Sequence, residues 1–130
     1  MLTEFIGVRQ IPGEGFRRWF HDDIFDLIVF YPSTLKEFIE GFQLCYRTNN
    51  EERVLSWNKG GGYQHNKIDD GEKEPYSSKM SPVLVKDGVF KSDDVLGLFL
   101  TSSLKIDPII REEVKTHIQN LQFSIDVQDT

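Results

Sequence analysis

Phe25-Asp26-Leu27-Ile28-Val29-Phe30-Tyr31 decides the fold. In an extended chain successive side chains point to opposite faces. Phe25, Leu27, Val29 and Tyr31 then line one face, and Ile24, Asp26, Ile28 and Phe30 the other. With apolar residues on both sides, the segment reads as a central strand. Pro32 stops it, because proline has no amide for a sheet ladder.

Upstream, Pro12-Gly13-Glu14-Gly15 is a turn-rich entry to a strand over residues 16–21, and Asp22-Asp23 turns that strand into the central one. Downstream, Thr34-Leu35-Lys36-Glu37 has the spacing of a capping box. Leu35, Phe38 and Ile39 fit one face of a short helix, and Gly41 suits its end. Residues 42–48 and 53–57 alternate on either side of a polar turn and predict a hairpin. A strand over 63–69 follows Gly60-Gly61-Gly62, and Asp87-Gly88 predicts a further hairpin over 82–90. Ser92-Asp93-Asp94 and Asp107-Pro108 each open a helix. Ile110, Val114, Ile118 and Leu121 line the inner face of the second. Phe123, Ile125 and Val127 alternate as a last strand would. The expected architecture is α+β. A mostly antiparallel sheet of about six strands carries a short helix after the strand over 25–31, with two C-terminal helices packed on it.

The 130 residues, 38% of them hydrophobic and 12% aromatic, are enough for one domain spanning 1–130. Net charge is −6, and neither half of the chain carries the basic excess that favours nucleic acid. The single cysteine, Cys45, excludes an intramolecular disulfide scaffold. Met1 to Ile6 lacks the basic region and apolar core of a signal peptide, and no apolar run approaches the ~20 residues of a membrane span. The expectation is a cytoplasmic protein without a membrane partner.

Two stretches pair a histidine with aspartates: His21-Asp22-Asp23 and His65-Asn66-Lys67-Ile68-Asp69-Asp70. On strands, His21 shares a face with Asp23, and His65 with Asp69. Were the two strands neighbours, imidazoles and carboxylates would converge, a donor set suited to zinc, manganese or non-haem iron and to acid–base work. Asp-Asp and Asp-Asp-Gly are also ordinary turn sequences, and no spacing here matches a metal motif. The sequence therefore assigns no metal and no cofactor.

Arg18 offers a guanidinium clamp at a pocket rim and Trp57 or Trp19 a pocket floor, and with Tyr63 these are the ligand-binding candidates. An ion pair for the arginine and core filling for Trp57 are the plainer readings. Gly60-Gly61-Gly62 precedes no Gly-Lys-Ser/Thr, so it is no P-loop. Cys45 alternates within a strand and packs most simply as a small hydrophobe, and His117 faces solvent on the last helix.

The blocks Arg17-Arg18-Trp19-Phe20, Asp22-Asp23 with Phe25-Asp26-Leu27-Ile28-Val29, Gly41-Phe42-Gln43-Leu44-Cys45-Tyr46 and Ile68-Asp69-Asp70-Gly71-Glu72 resemble those of a family of small uncharacterised bacterial proteins. The resemblance spans roughly residues 12–90 and implies a bacterial origin and a single small domain, with no activity attached. From the residues themselves no reaction follows. The favoured function is a non-enzymatic domain that binds a small molecule or a protein. The alternatives are a small metal-assisted hydrolase using His21, Asp23, His65 and Asp69, and an assembly protein that homodimerises through Phe42, Leu44 and Tyr46.

Overall fold

The computed structural model describes residues 1–48, 51–68 and 92–128. Six strands lie in one antiparallel sheet in chain order. They are β1 (Thr3–Phe5), β2 (Phe16–His21), β3 (Phe25–Tyr31), β4 (Gly41–Thr48), β5 (Glu51–Asn58) and β6 (Gly62–Ile68). Two helices follow, α1 (Ser92–Ser102) and α2 (Pro108–Gln128). The central strand of the sequence reading is β3, third in the order.

Register converts alternation into two faces. Phe20 pairs with Leu27, Leu27 with Leu44, and Leu44 with Leu55. These residues, with Phe25, Val29, Tyr31, Phe42 and Tyr46, form the buried inner face. Val95 and Phe99 of α1 and Ile110, Val114, Ile118 and Leu121 of α2 close over it. Phe25 meets Phe99 edge-on, with ring centroids 5.8 Å apart. Each such side chain taken from water contributes roughly 1.5–3 kcal/mol. On the outer face, Asp26, Ile28 and Phe30 are only half-buried, whereas Ile24, expected on that face, precedes β3 and packs against the core.

Three expectations need correction. Residues 33–40 form turns, not a helix. The Leu35 amide donates to Ser33 Oγ, the Lys36 amide to the Ser33 carbonyl, and Lys36 takes a φ of 53°. These local bonds compete with a helix that would be too short to sustain itself. Ile39 alone of the three apolar residues is buried, while Leu35 and Phe38 stay exposed. The alternation of Phe123, Ile125 and Val127 is overridden, because α2 runs to Gln128. Extending a formed helix gains a backbone bond per residue without needing a sheet edge to pair with. Finally, Phe42, Leu44 and Tyr46 lie in the core, beneath the helices, and offer no dimer surface. The hairpin expected over 82–90 lies outside the described residues, and the short edge strand β1 had no periodic signal in its three residues.

Two polar groups fix the ends of elements. Asp107 caps α2, its Oδ1 accepting the Ile109 amide at 2.9 Å. Asp22 closes the β2–β3 turn, its Oδ1 accepting the Ile24 and Phe25 amides at 2.8 and 2.7 Å. Burial works to raise the Asp22 pKa. The amides of Phe25 and Ile24, the Ser102 hydroxyl and the N-terminal ammonium outweigh it, so the net shift is downward. A depressed carboxylate stabilises the fold above its unfolded value and loses that contribution as pH falls through the folded one. Asp22→Ala should therefore cost about 1–3 kcal/mol at neutral pH. The gap from the parent should narrow below about pH 4 in urea titrations; a gap independent of pH would refute this role.

Gly15 has a φ of 74°, and a Cβ on it would overlap the Tyr31 carbonyl oxygen. Gly13, at 84°, faces open space. Gly13→Ala should cost about 1 kcal/mol of backbone strain, and Gly15→Ala at least about 3 kcal/mol, since strain and overlap add. Equal losses on urea unfolding would show that the overlap relaxes freely.

Candidate functional site

The histidine–aspartate clusters do not come together. His21 projects from the outer face of β2 and His65 from the inner face of β6. Four strand spacings separate them, about 19 Å at ~4.8 Å each. His21 Nδ1 lies 2.7 Å from Asp26 Oδ1, so its carboxylate partner is Asp26, and Asp23 is exposed in the turn. Asp26 also accepts from Trp19 Nε1 at 3.2 Å and pairs with Arg47 Nη2. Burial works to raise the Asp26 pKa, but these three donors hold it below the usual range. His65 is buried, with Nε2 2.7 Å from the Tyr46 hydroxyl and the two rings stacked. Asp69 lies outside the described residues. Among the described residues no group of three or more His, Cys, Asp or Glu is placed to hold a metal ion.

The ligand-binding candidates separate as well. Arg18 is committed within the fold. Its Nε and Nη2 each donate to Glu4 at 2.8 Å, and Nη1 donates to Asp107 at 3.1 Å. The Glu4 hydrogen bond is the largest of the influences that raise its pKa. This guanidinium ties β1 and β2 to the start of α2 and has no fork left for a ligand. Trp19 sits on the outer face, edge-on to Phe5 with centroids 5.2 Å apart.

Trp57 and Tyr63 do meet, through a residue the sequence reading missed. His117 is not turned to solvent: its side chain is only 13% exposed. Its ring stacks on Trp57 at 4.0 Å. The Tyr63 hydroxyl lies 2.6 Å from Nδ1, and Glu113 Oε2 lies 2.9 Å from Nε2. Burial raises the Tyr63 pKa, with Glu113 adding to the rise and a hydrogen bond to Asn120 opposing it. The phenol therefore keeps its proton, and each ring nitrogen of His117 has a partner, the Tyr63 hydroxyl at Nδ1 and Glu113 at Nε2. This chain fastens α2 to β5 and β6 with every partner satisfied. Its signal was in the spacing: His117 stands three residues after Val114 and seven after Ile110, at the edge of the apolar stripe.

On the opposite face lies a cleft of about 470 Å³, within the size range of small-molecule sites. Its origin is Gly41. In the register, Phe30 pairs with Gly41 and Gly41 with Asn58. The missing side chain leaves a hollow between Phe30 and Asn58. A Cβ at Gly41 would stand 2.6 Å from the Trp57 carbonyl oxygen, so the strands meet closely there. The next row supplies Gln43, Ser56 and Gln64, paired across β4, β5 and β6. All of these residues line the cleft, together with Glu14, Glu40 and residues Tyr31, Phe42 and Trp57 of the same strands. Ser56 Oγ is buried and has no hydrogen-bond partner among the described residues. Leaving such a group unmatched costs about 1–3 kcal/mol. The sequence carries no sign of this site, because it needs the exact pairing of four strands.

Cys45 projects from the outer face beside Asp26 and Val54. Burial, with lesser contributions from Asp26 and Glu52, pushes its pKa up to about 11. At neutral pH it is a thiol, the inert form.

No family model matches the chain, and no curated protein or solved structure matches it either. No described helix is long and apolar enough to cross a membrane.

The thiol makes a direct prediction. Alkylation of the folded protein by iodoacetamide should be slow at neutral pH, and its pH–rate profile should bend near 11. In urea the bend should return to about 8.5. A folded-state bend near that lower value would place a reactive thiolate at Cys45.

Proposed function

We propose that this chain is a non-enzymatic binding domain that holds a small polar molecule in the Gly41 cleft. The observation that carries the reading is the cleft itself. Two cross-strand rows put two glutamines, an asparagine and a serine around one hollow on a rigid sheet. Amide and hydroxyl groups of this kind accept and donate hydrogen bonds at fixed positions, and Phe30 adds an apolar wall. The buried Ser56 hydroxyl supports it, since a small shift on binding would let a bound molecule supply the partner that the described residues do not.

The lining offers binding and no evident chemistry. The histidines lie elsewhere: His21 beside Asp26 on the outer face, His65 stacked with Tyr46 and His117 stacked on Trp57 at the inner face. With the sequence blocks and the lone cysteine, the same proposal places the domain in a bacterial cytoplasm.

The test is an amide-resolved NMR titration of the labelled protein with small polar probes: urea, n-butylurea, acetamide and n-butylguanidinium. Shift changes should gather on the backbone amides of Phe30, Gly41, Gln43, Ser56, Asn58 and Gln64. They should disappear in a Gln43→Leu/Gln64→Leu variant that keeps its fold. If those amides stay still with every probe, or if the response centres on the inner face, the cleft is not a binding site.

A further inference from the structure

We infer that the ligand of the Gly41 cleft is a small organic cation, with a guanidinium or primary ammonium head. The inference rests on the cleft being a binding site and adds the charge of what it holds. Among the described residues, Glu14 and Glu40 are the charged ones of the lining, and the other polar ones are neutral amides and hydroxyls. An anion placed there would meet two carboxylates and, among the described lining residues, no cation. A cation would meet two glutamates, the side-chain amides of Gln43 and Gln64, and Phe30.

The cations nearest in the chain are engaged elsewhere. Lys59 Nζ lies over the Phe38 ring at 4.3 Å and Lys36 Nζ over the Phe16 ring at 5.3 Å. Glu40 has no ion pair among the described residues. Among the described residues Arg17 is the competitor. It stands opposite Phe30 in the register and reaches Glu14 at 3.9 Å, with that carboxylate 62% exposed. So loose and wet a pair is readily displaced, and it shows that the Glu14 side of the cleft draws a guanidinium. The acidic pair does not stand alone, because the hollow left by Gly41 and the unmatched Ser56 hydroxyl mark the same place.

The experiment compares n-butylguanidinium with n-butylurea, which share a shape and differ in charge, by calorimetry and by shifts at the Gly41 amide. The cation should bind at least about tenfold more tightly. Glu14→Gln/Glu40→Gln should remove most of that advantage while leaving n-butylurea unchanged, and added salt should weaken only the cation. Equal binding of the two probes at the cleft would overturn the charge inference and leave the cleft reading standing. Failure of both to move the cleft amides would overturn the two together. An advantage that survives the double glutamine variant would place the cation elsewhere on the protein.

Discussion

The rest of the structure depends on burying one face of a six-stranded sheet whose other face stays open to polar groups. An antiparallel meander has no helices between its strands to cover it. Among the described residues the cover comes from α1 and α2, which supply Val95, Phe99, Ile110, Val114, Ile118 and Leu121. Hydrophobic burial alone does not fix where a smooth helix sits on a smooth sheet. Here three polar anchors set the position. Arg18 joins β1 and β2 to Asp107 at the start of α2. His117 joins its middle to Tyr63. The Ser102 carbonyl at the end of α1 accepts the Leu2 amide at 2.8 Å. Each anchor spans elements far apart in sequence, which is where a directional bond adds most to a non-directional one.

The outer face has a different character. Asp26 gathers Trp19, His21 and Arg47 toward the β2–β3 turn, and Arg47 continues to Glu52 at 3.3 Å. Toward the other end of the same strands the rows change to amides around Gly41. One end of this face is thus a closed ion network and the other an open hollow. Ligand chemistry belongs to the open end, because saturated donors and acceptors have nothing to offer a ligand.

Much of this was legible in the residues, and the reason is local. Alternation in 25–31 and 42–48 is a short-range signal, and so are the Asp107-Pro108 start of α2 and its spacing of Ile110, Val114, Ile118 and Leu121. The failures share a cause too. The capping-box pattern at Thr34 is equally short-range, but the turn bonds of Ser33 and the demand of Ile39 for the core overrode it. His21 and His65 were linked only by the supposition that their strands were neighbours, and strand order is a long-range property. Alternation told which face each occupied on its own strand, without relating one strand to the next. The cleft failed to appear for the same reason. Gln43, Ser56 and Gln64 are unremarkable polar residues until register places them side by side.

Trp57 joins the two faces. Its indole lies on the inner side against His117, and its backbone runs beneath the cleft, where its carbonyl faces Gly41. Strand β5 cannot shift at this point without disturbing the stack of Trp57 on His117, which the Tyr63 and Glu113 bonds hold in place. The inner-face anchor therefore holds the floor of the outer-face hollow rigid. A preformed hollow spares a ligand the cost of ordering its own site, which is the main advantage of building one on a sheet and not on a loop. The same rigidity explains the glycine. On a strand pinned this closely to its neighbour, a side chain would have to push the two apart, so depth in the cleft and tight pairing of β4 with β5 are one requirement met by one residue.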